Sequence, residues 1–123
     1  MTYFTANRKL QKDLYVKKDL DLQDSTTPWV PKSNIRITSI LVKAYTAPTG
    51  TGNTTVRVYK NKGTASEAIL SDLVLNSSTV SAQTANNYSQ DIEADSEITY
   101  SITTTTSVHP GKDAIINFIY ELV

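Results

Sequence analysis

From Ile35 onward, short apolar runs alternate with polar turns. Ile35 and Ile37 share one phase, while Ile40, Val42 and Ala44 share the other. The run from Ile35 to Ala47 therefore predicts a long strand whose phase switches near Thr38-Ser39. Such a switch marks a β-bulge or a strand buried on both faces. Pro48-Thr49-Gly50-Thr51-Gly52-Asn53 follows as a loop whose glycines can take positive φ. Thr55 to Lys60 reads as a strand with Val56 and Val58 inward and Arg57 and Tyr59 outward. Asn61-Lys62-Gly63 turns it back.

The same logic repeats downstream. Ile69, Leu73 and Leu75 are in phase along a strand from Ala68 to Leu75, and Asn76 to Asn87 reads as a long polar loop. Tyr88, Gln90, Ile92 and Ala94 alternate with polar positions; so do Ile98, Tyr100 and Ile102. In the last stretch, Ala114 to Val123, one face carries Ile116, Phe118, Tyr120 and Leu122, and the other carries Ile115, Ile119 and Val123. A strand apolar on both faces is central in a stack or part of a subunit contact. The contact is the favoured reading, which makes Ile115, Ile119 and Val123 interface residues.

The first 27 residues differ in character. Residues 1 to about 12 follow neither a helical nor a strand period, whereas Leu14, Val16, Leu20 and Leu22 share parity with Lys18 interrupting. A helix is the alternative, since Leu10 and Leu14 lie four apart. Trp29, between Pro28 and Pro31, is a core plug or a contact residue, and the size of aromatic burial favours the core. The division expected is an extended N-terminal arm, 1–27, and a β-sandwich domain, 28–123. Seven or eight strands, with turn signals about every 8–12 residues, predict an all-β antiparallel sandwich or barrel.

Composition narrows the function classes. A chain of 123 residues, 39% hydrophobic and 20% charged, holds one modest core. Twelve basic and twelve acidic residues leave no net field for nucleic acid or an anionic membrane. The balance hides a split: Arg8, Lys9, Lys12, Lys17, Lys18 and Lys32 crowd the first third, while Glu67 to Glu97 holds acids and no bases. Such a split could align partners, or be scattered solvated charge. The absence of cysteine removes disulfides, thiolate catalysis and cysteine zinc sites. The polar start MTYFTANRK carries no signal-peptide run, which predicts synthesis in a reducing cytoplasm.

Catalytic chemistry finds little footing. His109 is the single histidine and sits in a turn, Val108-His109-Pro110-Gly111. No nucleophile elbow, metalloprotease or phosphate-loop motif occurs. Asp91, Glu93, Asp95 and Glu97 form the densest carboxylate cluster. On a strand the residues of one face advance by roughly 7 Å, too far apart to cage a cation. The chain is therefore predicted to be no enzyme and to hold no metal or cofactor. Sugar binding needs exposed aromatics beside hydroxyls and amides; Arg57 and Tyr59, sharing an outward face, are the ligand-contact candidates.

The stretches Ile37-Thr38-Ser39-Ile40, Val42-Lys43-Ala44, Thr46-Ala47-Pro48-Thr49-Gly50, Thr55 to Asn61 and Asp95 to Ile102 resemble small β-sandwich modules of tailed-bacteriophage virions. These are head-fibre, capsid-decoration and tail-associated proteins, often with jelly-roll topology and often trimeric. The likeness covers about residues 28 to 123. Ala94-Asp95-Ser96 departs from the glycine-aspartate turn of the pattern, and Lys62 is an insertion. The resemblance implies a non-enzymatic virion structural protein, a decoration or head-fibre subunit with jelly-roll-like topology. It implies partners too: further copies in a homotrimer, and a capsid or adaptor protein, with no nucleic acid or membrane. The basic N-terminal arm, with Arg8, Lys9, Lys12, Lys17 and Lys18, would dock on the particle. The alternative is a receptor- or glycan-binding module of a tail or fibre, with a host-surface glycan as partner.

Overall fold

A computed structural model describes residues 9–21, 23–24, 28–63, 65–70 and 72–123. Among these, ten strands and no helix occur: β1 (Leu10–Asp19), β2 (Gln23–Asp24), β3 (Ile35–Thr46), β4 (Thr54–Lys62), β5 (Ala65–Ala68), β6 (Leu73–Leu75), β7 (Ser81–Gln83), β8 (Gln90–Ile92), β9 (Glu97–Thr104) and β10 (Lys112–Leu122). They form two antiparallel sheets. The first runs β1-β10-β3, with β7 and β8 sharing the far flank of β3; the second runs β2-β9-β4, with β5 and β6 sharing the far flank of β4.

Counting β5 with β6 and β7 with β8 as single positions leaves eight. The first position then pairs with the last, the second with the second-last, and so on inward. A ribbon paired in that way and wrapped into two sheets is a jelly roll. The expected sandwich and its jelly-roll character are therefore present, and the expected seven or eight strands correspond to these positions.

Inward side chains of both sheets meet in one core. Ile37, Ile40, Val42, Val58, Leu75, Ile98, Ile102, Ile116 and Phe118 are fully buried. β-Branched residues dominate because they suit the pleat and pack across it. The phase switch of β3 is a bulge. Ile119 pairs with Ser39 and Tyr120 with Ile37, leaving Thr38 as the extra residue. One inserted residue lets Ile35 and Ile37 face the same core as Ile40 and Val42.

The expected arm, 1–27, contains two of these strands. β1 pairs with β10 from Leu10 to Asp19 and buries Val16, with Leu20 buried just beyond it. The first sheet thus takes in β1 and the second β2, and residues 1–8, Arg8 included, lie outside the described ones. Lys12 and Lys18 break the apolar alternation of this strand without removing it from the sheet. Opposite Lys17-Lys18 a second bulge sets two residues against Asp113, which has φ 54°.

Two further differences concern short strands. The predicted strand from Ala68 to Leu75 divides into β5 and β6 around buried Ile69. The predicted polar loop from Asn76 to Asn87 holds β7, whose Ser81, Ala82 and Gln83 bury little and are kept in place by the ladder with Leu41 to Lys43. Trp29 lies half-buried against the core, its ring centroid 5.1 Å from Phe118 and 5.2 Å from Tyr120. Its backbone bridges to Ile98.

Candidate interaction surfaces

β10 lies between β1 and β3, which places its second apolar face on the outside of the first sheet. There Ile115 stands between Tyr15 and Lys43, Asn117 between Asp13 and Leu41, and Ile119 between Gln11 and Ser39. Ile115 and Ile119 are half-buried by these neighbours, whereas Tyr15 is 57% and Val123 60% exposed. The Asn117 amide donates to Asp13 Oδ1 at 2.6 Å and to Gln11 Oε1 at 3.3 Å. This surface is a mixed one: apolar side chains flanking a polar centre.

The outside of the second sheet is different. Thr55, Thr99, Ser101 and Thr103 share it with Arg57 and Tyr59, since Arg57 pairs with Ser101 and Tyr59 with Thr99. The structure does bring Arg57 and Tyr59 onto one face. The Arg57 guanidinium, however, is engaged by Asp72 through two bonds, Nε to Oδ1 at 2.7 Å and Nη2 to Oδ2 at 3.1 Å. A ligand using that fork would have to displace a carboxylate.

The acidic stretch finds its ion-pair partners between Lys32 and Lys62, not among the lysines of the first twenty residues. Asp72 meets Arg57, Glu67 meets Lys60, Asp91 meets Arg36 at 2.8 Å, Glu93 meets Lys62 at 3.1 Å, and Asp95 meets Lys32 at 3.5 Å. Hydrogen bonding from Arg36 and Arg57 holds the Asp91 and Asp72 carboxyls below the usual carboxylate range. Lys9 pairs with Glu121 at 3.1 Å. The sequence shows the asymmetry but not the pairing, because tertiary structure brings the partners together, as with Arg36 and Asp91, 55 residues apart.

No group of three or more metal-ligating side chains occurs among the described residues. The hollow of about 230 Å³ lined by Lys60, Lys62, Glu67, Glu93 and Ser96 sets two ammonium groups against two carboxylates. Every buried side-chain nitrogen or oxygen among the described residues has a hydrogen-bond partner. Thr54, for example, donates to the Pro110 carbonyl at 2.7 Å. His109 Nδ1 accepts from the Gly111 N–H at 3.1 Å, and its Nε2 lies 3.5 Å from Asp19 Oδ1. This ring ties the loop before β10 to the end of β1.

That loop, 105–111, runs beside the loop 47–53. Thr49 bridges to His109, Thr51 and Ser107 bond reciprocally, and Thr105 N–H reaches the Asn53 carbonyl at 2.8 Å. Gly50 and Gly52 have φ 83° and 96°. A Cβ at Gly52 would collide with the Thr105 carbonyl, so glycine alone permits this close approach.

Comparison with known proteins gives a likeness of fold. One chain of the acid-stable capsid structure of Helicobacter pylori bacteriophage KHP30 superposes with a TM-score of 0.64 at 10% identity. The superposition covers 96% of this chain and 90% of that one. Its fold is similar to that of a phage-capsid chain. A chain from the structure of infectious bursal disease virus, Gx strain, aligns at 9% identity over 100% of this chain and 44% of that one. Its TM-score of 0.25 carries no argument. No protein-family model matches the sequence, and no curated protein does.

The predicted site residues fall in three places. Ile115 and Ile119 lie on the outer face of the first sheet, with Val123 at the end of its central strand. Lys9, Lys12, Lys17 and Lys18 lie along or just before the edge strand β1. Arg57 and Tyr59 lie on the opposite side of the sandwich.

Proposed function

We propose that this protein is a non-enzymatic structural component of a bacteriophage virion, a capsid decoration or head-fibre subunit. The observation that carries the reading is the superposition on a phage-capsid chain over nearly the whole of both chains. The match leaves little of either chain unaccounted for, so the two are alike in size as well as in wrapping. The partners are further copies of the chain and other virion proteins. Self-association, as a homotrimer, uses the outer face around Ile115 and Ile119 together with Val123; docking on the particle uses the N-terminal region with Arg8, Lys9, Lys12, Lys17 and Lys18.

The deciding experiment is the protein content of purified particles of the phage that encodes the chain. A constant number of copies per particle, retained through a density gradient, is the expected result. A protein abundant in the lysate and missing from the particles overturns the reading. Solution mass by light scattering, for the wild type and Ile119→Asp, addresses self-association. The expected result is an oligomer that the substitution dissociates without unfolding it.

A further inference from the structure

Four edges bound the two sheets. Among the described residues, three are built of short strands: β7 and β8 of three residues each, β2 of two, and β5 and β6 of four and three. Short edge strands are one way a sheet avoids recruiting another chain. The fourth edge is β1, ten residues long. One side of it pairs with β10, and no strand among the described residues pairs with the other. Alternate backbone N–H and C=O groups of β1 therefore point away from the sheet.

The side chains of this edge define what it accepts. Lys12, Lys17 and Lys18 are exposed, and none has a carboxylate partner in the ion pairs of the described residues. Of the other described lysines and arginines, Lys9, Lys32, Arg36, Arg57, Lys60 and Lys62 each have at least one, while Lys43 and Lys112 are in no such pair. The carboxylates nearest in sequence are already held: Asp13 by Asn117 at 2.6 Å, and Asp19 beside His109. Between the lysines lie three apolar positions: Leu14, half-buried against the core, exposed Tyr15, and Val16, which is buried. Two β1 edges set together would gather the lysines of both copies into one seam, an arrangement that opposes self-pairing.

We propose that the β1 edge accepts an extended acidic segment of another protein as an added strand. Carboxylates of that segment stand opposite Lys12 and the Lys17-Lys18 pair, and small apolar side chains stand opposite Leu14 and Tyr15. Main-chain bonds supply affinity and the charges fix register. The proposal deepens the docking step of the virion reading and rests on it for the partner being another particle protein; strand addition itself does not depend on it.

The test uses the full chain and two blocked octapeptides, EETVVTET and its lysine counterpart KKTVVTKT, with titration calorimetry at low salt and amide exchange by NMR. The acidic peptide is expected to bind, to weaken steeply with added salt, and to slow exchange of the outward amides of β1. The lysine peptide is expected to bind at least about tenfold more weakly, and a Lys12→Glu, Lys17→Glu, Lys18→Glu variant to reverse the preference. Binding by neither peptide, equal binding by both, or protection confined to other strands overturns the proposal. So does concentration-dependent protection of β1 without peptide, which would assign the edge to a second copy. A failed peptide test leaves the particle-composition result standing, and a protein absent from particles leaves the peptide result standing.

Discussion

Thr38 donates its hydroxyl to the Ile119 carbonyl at 3.3 Å, from the one position of β3 that has no counterpart on β10. The bond fastens the bulge that turns Ile35 and Ile37 inward. Deleting Thr38 would restore an even ladder and leave Ile35 and Ile37 on the core face, since outward Ser39 would then directly follow Ile37. The deletion removes the bulge but no core isoleucine, so the fold is expected to survive with a loss of about 0.5–3 kcal/mol. Thr38→Ser keeps the residue count and the hydroxyl, and is expected to stay within about 1 kcal/mol of wild type by urea unfolding.

Gly52 and Gly63 form a matched pair for a second test. Both have positive φ, 96° and 68°, but a Cβ would meet the Thr105 carbonyl at Gly52 and nothing within 4 Å at Gly63. Gly63→Ala should cost roughly 1–2 kcal/mol, the left-handed penalty alone. Gly52→Ala should cost clearly more, because the two loops must also part. Urea midpoints of the two variants check the order.

Tyr88 donates to the Ile69 carbonyl at 2.6 Å, and burial pushes its phenol up to about 12. An unfolded tyrosine ionises near 10. The contribution is therefore whole below pH about 10 and is lost as pH rises towards 12. Tyr88→Phe is expected to be less stable by about 0.5–1.5 kcal/mol at neutral pH. Its deficit should shrink above pH about 10, read by unfolding curves alongside tyrosinate absorbance.

The opposite sign holds for Asp72 and Asp91, whose folded pKa values are lowered by hydrogen bonds from Arg57 and Arg36. Their stabilisation is present above the unfolded carboxyl pKa near 3.9 and is lost as pH falls through the lower folded value. Asp72→Asn with Asp91→Asn is expected to flatten the acid limb of the stability profile. Because both pairs are exposed, the difference should fade in high salt. An acid limb unchanged by the double substitution would show that neither pair contributes.

The strands whose burial follows period two were readable in advance. β4, β9 and β10 came out where alternation put them, and the Thr38-Ser39 switch predicted the bulge. β7 was not readable, since Ser81, Ala82 and Gln83 carry no apolar signal and owe their conformation to β3. β1 was half readable: Leu14 and Val16 showed, but Lys12 occupies an inward-phase position opposite Phe118, where its stem can lie along the rim and its charge reach water. The pairing of the acidic stretch with Lys32, Arg36, Arg57, Lys60 and Lys62 depends on tertiary neighbours that the charge pattern alone does not encode.

β10, the last of the described strands in chain order, occupies the middle of its sheet, with β1 on one side and β3 on the other. During synthesis β1 therefore has no strand partner among the described residues until β10, about a hundred residues later, has been made. Pairings this distant in sequence form slowly. Any interruption of translation short of β10 leaves β1 and β3 as unclaimed edges, the hazard that chaperones meet in large β-rich proteins. Order of manufacture, not only the finished contacts, thus sets when this small protein becomes safe from aggregation.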